Sequence, residues 1–307
     1  MYFNRFIVAL WLTVLAVALV SLWIIFSAKR QQPLTWTMVN VSGMKLTGDA
    51  HLLEFPDGHR VLIDVSYRHR ALNDLLPYLR SKGIDRLDTI IITHGHRNHY
   101  GGLLTTIDAM KSVKQVIFNL PASEACEQEN WAGGCNYDHI VETRDNVIDR
   151  NVLVKTVEAG DIVYKQGNTA LEILYSFDGM NSPLGITDIN DATLILRLDH
   201  GNQSILFVAD INLRLGSYLV EHGERLQATL MSAPHHGVES AAPNEFLETV
   251  QPKTVLVSAS QPPWISSRGE RMRKYFSDQG IDTYVSGVHG HVAVRLFEDR
   301  YEVKTER

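Results

Sequence analysis

Thr89-Ile90-Ile91-Ile92-Thr93-His94-Gly95-His96-Arg97-Asn98-His99-Tyr100-Gly101-Gly102 is the stretch whose reading decides the fold. Its first four residues form an apolar, β-branched run, the pattern of a strand buried on both faces in a parallel sheet. Residues 103–110 read as a helix. Three imidazoles therefore occupy a strand-to-helix loop, where open α/β sheets place their sites. Alternate residues of an extended segment face the same way. His94 and His96 thus reach toward one ion, while Asn98 and His99 come round the bend toward a neighbouring one. Neutral imidazole suits zinc, manganese or iron. A single loop histidine is ordinarily solvated, but three within residues 94–99, between a buried strand and a glycine pair, point to metal ligation.

Outward from this loop the chain alternates strands and helices. Residues 71–82 have helical apolar spacing and stop at Gly83. Residues 51–55 and 61–64 pair as a hairpin across Pro56-Asp57-Gly58, and residues 35–41 alternate as a first strand. Beyond the loop, residues 115–119 are a strand and residues 121–137 an irregular loop pinned by Trp131. Residues 138–150 are helical, and 152–157 and 171–175 are strands around the Ala159-Gly160-Asp161 turn. Residues 192–198 and 204–208 form a hairpin that runs into Asp210. Residues 228–232 are a buried strand ending at Pro234-His235-His236-Gly237. Strands at 254–258, 284–285 and 292–297, with helices at 244–250 and 268–279, complete the pattern. Two mixed sheets with outer helices accommodate this order.

The remaining bounds come from length and composition. The chain has 307 residues and a net charge of −6, so no overall basic field advertises nucleic-acid binding. Residues 6–26 are an unbroken apolar run; as a helix they extend ~31 Å, matching a hydrocarbon core of ~30 Å. An uncleaved single-pass anchor is favoured over a signal peptide, because no small-residue cleavage site follows. Residues 1–30 are therefore expected to be a membrane anchor and residues 31–307 one catalytic domain. Arg5 lies on one side of the run and Lys29-Arg30 on the other, so positive charge does not orient it. The two cysteines, Cys126 and Cys135, share one loop. A disulfide between them would contribute ~2–3 kcal/mol and indicate an oxidising compartment; two free thiols in a cytosolic loop are the alternative.

The stretch His94-Gly95-His96-Arg97-Asn98-His99 resembles the His-x-His-x-Asp-His signature of the metallo-β-lactamase superfamily. The resemblance implies an αββα sandwich with a one- or two-metal site at one edge. It also implies hydrolysis of an ester, amide or phosphodiester by a metal-activated water. His94 and His96 would hold the first metal and His99 the second. Asn98 stands where the family has an aspartate that binds the second metal and helps hold the attacking water. An amide oxygen still ligates but is neutral and a poor base. Asp64, at a strand end, would brace the metal loop. Asp210 would bridge two cations ~3.5–4 Å apart; taken alone it would read as a helix N-cap. His236, before Gly237, would be the last ligand and His235 a proton donor or anion contact, although the two are interchangeable on sequence alone.

Asn190-Asp191-Ala192-Thr193-Leu194, Val208-Ala209-Asp210 and Ala233-Pro234-His235-His236-Gly237 look like one branch of the superfamily. That branch contains the hydrolase domain of ComEC-type DNA-internalisation proteins and the teichoic-acid phosphorylcholine esterases. It usually writes Thr-Gly-Asp where this chain has Val208-Ala209-Asp210. No histidine supplies a further first-metal ligand between Tyr175 and Asp191, so Asn190 or Asp191 would stand in. His289 and His291 read as surface histidines, with a substrate phosphate contact as the alternative.

The expectation is thus a membrane-anchored hydrolase, phosphodiesterase or nuclease-like, using zinc (one or two ions, with manganese the alternative) on DNA or a cell-wall polymer. Its site lies in an extracytoplasmic domain on a cell inner membrane. Two other readings stand beside it. One is a catalytically weakened metal-binding module that holds nucleic acid or a cell-wall polymer, and Asn98 is its support. The other is a β-lactam or lactone hydrolase. The sequence leaves the oligomeric state open.

Overall fold

The computed structural model describes residues 11, 13–18, 20, 33–43, 47–129, 134–176, 184, 188–238 and 240–307. Its strands in chain order are β1 (Leu34–Met38), β2 (His51–Glu54), β3 (Arg60–Ile63), β4 (Arg86–Ile92), β5 (Ser112–Phe118), β6 (Leu153–Lys155), β7 (Ile162–Gln166), β8 (Thr169–Ser176), β9 (Leu194–His200), β10 (Gln203–Phe207), β11 (Leu230–Ser232), β12 (Thr254–Val257), β13 (Asp282–Val285), β14 (Val292–Leu296) and β15 (Tyr301–Thr305). They form two sheets. One has eight strands in the order β15-β14-β1-β2-β3-β4-β5-β6, and the other seven in the order β13-β12-β11-β10-β9-β8-β7.

Three apolar layers hold the sandwich together. Between the sheets, Trp36, Leu53, Ile63, Ile91 and Ile117 meet Leu196, Phe207 and Leu256. Outside the first sheet, Ile90 and Ile92 pack with Leu75, Leu79, Leu103 and Ile140 of its covering helices. Outside the second, Val208, Met231 and Val255 pack with Leu215, Leu219, Phe246 and Phe276. The Ile90-Ile91-Ile92 run is apolar at every position because β4 has a core on each face. β4 pairs in parallel with both β3 and β5, as its composition predicts.

The differences from expectation lie at edges and in the cysteine loop, expected to be irregular, where Ser123–Glu127 are helical. Neither β7 nor β15 is anticipated from the sequence; each ends its sheet. Their residues, Ile162-Val163-Tyr164-Lys165-Gln166 and Tyr301-Glu302-Val303-Lys304-Thr305, are largely exposed or half-buried. Charged, half-solvated edge strands carry a weak period-2 signal. The helix expected over 71–82 begins earlier, at Arg68, and passes through a π-turn at Ala71–Leu75 before Leu76–Ser81.

Cys126 and Cys135 are joined in a disulfide with a Cα–Cα distance of 4.9 Å. Trp131 lies outside the described residues, as does most of the apolar run 6–26. Of that run, residues 11, 13–18 and 20 are helical and exposed. Among the described residues no helix is long and apolar enough to cross a membrane.

Candidate metal centre

The site sits where the carboxyl ends of β3, β4 and β10 and the β11–β12 side of the second sheet meet. Asp64, just after β3, is its inner brace. Thr93 donates to it twice, from the backbone N–H to Oδ1 (2.9 Å) and from the hydroxyl to Oδ2 (2.8 Å). His99 Nδ1 lies 2.8 Å from the same Oδ2. The brace expected of Asp64 is thus present as geometry.

Backbone strain collects here. Asp64, Ser66, Ala209, His235 and His236 have φ of 59°, 58°, 44°, 45° and 55°. Left-handed backbone at a residue with a Cβ costs on the order of 1–2 kcal/mol, and such residues gather at functional sites. Two successive left-handed histidines turn the chain so that both rings face Asp210. Gly237 (φ 72°) completes the turn, and a Cβ there would come within 2.7 Å of the Trp264 ring. At Ala209 the branch of the superfamily has glycine. Ala209→Gly should therefore stabilise the fold by up to about 1 kcal/mol, read as a rise in the urea midpoint with an unchanged slope. A lower midpoint would show that the strain is offset elsewhere.

His94 and His96 face each other. His94 Nε2 lies 3.2 Å from His96 Nδ1. Two nitrogens on one tetrahedral zinc, each about 2.1 Å from it, are separated by about 3.4 Å, so the observed gap suits a shared ion. His94 Nδ1 lies 3.1 Å from the Thr93 hydroxyl oxygen. His96 Nε2 lies 2.7 Å from Glu129 Oε2.

Asp210 joins this pair to the second cluster. Its Oδ2 lies 3.1 Å from His99 Nε2 and 3.2 Å from His236 Nε2. The same oxygen is 4.0 Å from His94 Nε2 and 3.9 Å from His235 Nε2. Its other oxygen, Oδ1, is buried with no hydrogen-bond partner among the described residues. A buried carboxylate oxygen left unpaired is costly, and divalent cations at this point would satisfy it. The Asn98 amide nitrogen lies 3.0 Å from His99 Nε2 and 3.0 Å from His236 Nε2. A 180° turn of that amide brings its oxygen to the same place. The ring positions are themselves tied: His236 Nδ1 is 3.0 Å from the Ser258 carbonyl, and His235 Nδ1 is 3.0 Å from the Ser240 hydroxyl.

The structure thus brings together His94, His96, Asn98, His99, Asp210, His235 and His236 from three separate chain segments. Sequence reasoning missed two carboxylates. Asp49, 6% exposed, lies 3.9 Å from both His99 Nδ1 and His236 Nδ1. Asp49, His99, Asp210 and His236 each offer a ligand atom within 4.8 Å of the others. Asp49 follows Gly48, where a Cβ would clash with the Ser66 hydroxyl, just before β2. Glu129 gave no signal, since it lies in the irregular cysteine loop. His289 Nδ1 bonds the Val285 backbone, and His291 Nδ1 accepts from Asn40 N–H at 3.0 Å. Both therefore have structural partners.

The electrostatics follow from burial against pairing. Burial holds the His94 imidazolium well below its usual range, with the charge of His99 adding to this. Burial would lower His99 too, but the Asp210 and Asp64 carboxylates outweigh it and raise His99 well above. Burial alone would raise Asp210; the imidazoles of His236, His99 and His235 reverse that and hold it well below. Burial pushes His235 down to about 4, so its ring is neutral near pH 7.

Asp191, 2% exposed, behaves oppositely. Burial, with the neighbouring Asp188 charge, pushes its carboxyl up to about 7. Its Oδ1 accepts from Asn212 N–H at 3.4 Å. The folded carboxyl holds its proton more tightly than the unfolded one, so this group costs nothing below 3.8 and increasingly destabilises the fold as pH rises to about 7. At roughly 1.4 kcal/mol per unit, the loss is on the order of 4 kcal/mol. Asp191→Asn should flatten the fall in melting temperature between about pH 4 and pH 7. An unchanged profile would place the effect elsewhere.

The superfamily model described as Metallo-beta-lactamase superfamily matches residues 44–109, which contain the histidine loop. ComE operon protein 3 of Bacillus subtilis is 22% identical over 187 residues, 61% of this chain and 22% of that protein. Recombination protein 2 of Haemophilus influenzae is 24% identical over 261 residues, 82% of this chain and 28% of that protein. The chain therefore spans about a quarter of the length of these curated relatives. Among solved structures, Tm1679, a metal-dependent hydrolase of the beta-lactamase superfamily, superposes with a TM-score of 0.53 at 17% identity, over 86% of this chain and 99% of that one. A CmlA beta-hydroxylase variant gives 0.54 at 13% identity, over 86% of this chain and 54% of that one. Residues 44–109, which hold the histidine loop, match the metallo-β-lactamase superfamily, and the two-sheet sandwich has the fold of Tm1679. Among curated proteins it is similar to ComE operon protein 3 and Recombination protein 2 over about a quarter of their length.

Proposed function

We propose that this chain is a membrane-tethered, metal-dependent phosphodiesterase. The observation that carries the reading is Asp210. One of its oxygens touches both histidine clusters, and the other is buried and unpartnered among the described residues. In this reading His94 and His96 would hold a first cation and Asn98, His99 and His236 a second, with the Asp210 carboxylate available to both. Zinc suits the imidazole-rich first position, and manganese is the alternative at the more oxygen-rich second one. Cations bound there supply an acidified water, with a pKa of about 7, and positive charge for a developing oxyanion.

The protein groups do the rest. Asp64 fixes His99 through Nδ1 and leaves Nε2 facing the site. Asp49 adds negative charge beneath His99 and His236, where neutral Asn98 supplies none. His235 is neutral, 22% exposed in its side chain and 3.9 Å from Asp210, placed to contact a phosphate oxygen or pass a proton to a leaving group. Val65 N–H donates to the His99 carbonyl and Gly102 N–H to the Ser66 carbonyl, laying residues 65–67 along the histidine turn. Arg68 and Arg97, next to those segments in the chain, are exposed, and such cations would suit a phosphodiester polymer such as DNA or a cell-wall polymer. Residues 6–26 form the anchor, residues 1–30 and 31–307 the two parts of the chain, and the catalytic part faces an extracytoplasmic space. The Cys126–Cys135 disulfide supports that placement.

The test is turnover of bis(p-nitrophenyl) phosphate and single-stranded DNA by the metal-stripped chain, before and after zinc or manganese is returned. Metal-dependent cleavage supports the reading, and turnover of a cephalosporin without it would replace it. Asn98 keeps a second reading in play, a module that binds such a polymer without cleaving it. Binding without turnover at saturating metal would establish that one.

A further inference from the structure

Glu129 belongs to none of the segments that form the histidine site, yet it is 8% exposed and fully engaged. Its Oε1 accepts from Ile189 N–H at 2.8 Å, and its Oε2 from Cys135 N–H at 3.0 Å. The same Oε2 lies 2.7 Å from His96 Nε2. An ionised carboxylate only accepts, so His96 Nε2 must carry the proton. A ring with that one proton has its lone pair on Nδ1.

His94 is fixed by the same logic. The Thr93 hydroxyl spends its proton on Asp64 Oδ2, so its oxygen accepts from His94 Nδ1–H. That leaves the His94 lone pair on Nε2. Two lone pairs then face each other across 3.2 Å, an arrangement that repels itself without positive charge between them.

We propose that Glu129 is a positioning residue for the first cation: it selects the Nε2–H tautomer of His96 and so aims Nδ1 at the point where His94 Nε2 also aims. The proposal rests on the metal-centre reading for its consequence, but the tautomer is a property of the metal-free chain. Glutamine cannot substitute, because the carboxylate uses both oxygens as acceptors. In Glu129→Gln, with the single amide oxygen toward Ile189, the new NH2 group would face His96 Nε2 and draw the ring into the Nδ1–H form, which cannot ligate through Nδ1. With the oxygen toward His96, the NH2 would oppose Ile189 N–H. The Cys126–Cys135 bridge closes the loop around Glu129 and holds it in reach of His96.

The experiment has two readouts. The first is imidazole 15N–1H correlation spectroscopy of the metal-free full chain in detergent, with His96 assigned by comparison with His96→Gln. His96 is expected in the Nε2–H form in the native chain and shifted toward Nδ1–H in Glu129→Gln. An Nδ1–H ring in the native chain overturns the proposal without any variant needing to fold. The same ring form in both chains also overturns it. The second readout is zinc affinity by competition with a chromophoric chelator. The tight site should weaken ~10–100-fold in Glu129→Gln, the usual cost of losing a group that orients a ligand, and unchanged affinity overturns the role. Should the native chain bind no zinc, the metal-centre reading fails, while the spectra still decide whether Glu129 sets the tautomer.

Discussion

Asp210→Asn is expected to abolish both metal occupancy and turnover. The substitution keeps the shape and removes the charge. Among the described residues, Asp210 Oδ2 is the one carboxylate oxygen within 4.0 Å of His94, His99, His235 and His236 alike, so no other acidic side chain there can take over its place between the clusters. Asp210 also balances the buried imidazolium character of His99 and His236; an amide there leaves His236 without its nearest counter-charge and removes one of the two carboxylates close to His99. Losing a group that only orients a ligand costs ~10–100-fold. Losing the bridging carboxylate should exceed that range in both metal affinity and phosphodiester turnover. Retention of turnover within about tenfold would show that Asp210 is a turn residue at the end of its strand.

Asn98→Asp should act in the opposite direction. The Asn98 amide sits 3.0 Å from both His99 Nε2 and His236 Nε2, at the point where the superfamily places a carboxylate. A formal negative charge there adds direct attraction for the second cation in a half-buried setting. The concentration of metal needed for half-maximal activity should fall ~10–100-fold, by the scale of ligand changes at such sites. The maximal rate should change little, because the rest of the cluster is already assembled. Measured as activity against free zinc or manganese, a large gain in maximal rate from an inactive native chain would instead establish the binding module.

The sequence exposed the centre of this site and hid its periphery. The histidine loop was legible because β4 is buried on both faces, so Ile90, Ile91 and Ile92 leave an uninterrupted apolar run that ends at Thr93. Asp210 and His236 were legible for the same reason, each following a buried strand. Asp49 and Glu129 were not, because neither follows an apolar run. Asp49 arrives after a loop, and Glu129 sits in an irregular segment whose position is set by the disulfide and by hydrogen bonds to Ile189 and Cys135. Edge strands β7 and β15 were hidden by their charged, half-solvated residues. The left-handed backbone at His235 and His236 has no sequence signature beyond Gly237.

The measurement that bears most directly on the metal centre is a titration of the metal-stripped full chain with zinc, with bound ions per chain counted by elemental analysis. Two ions are expected, one tight at His94 and His96 and one weaker beside Asn98, both lost in Asp210→Asn. A native chain that binds no ion, or an Asp210→Asn chain that binds as many as the native one, would contradict it.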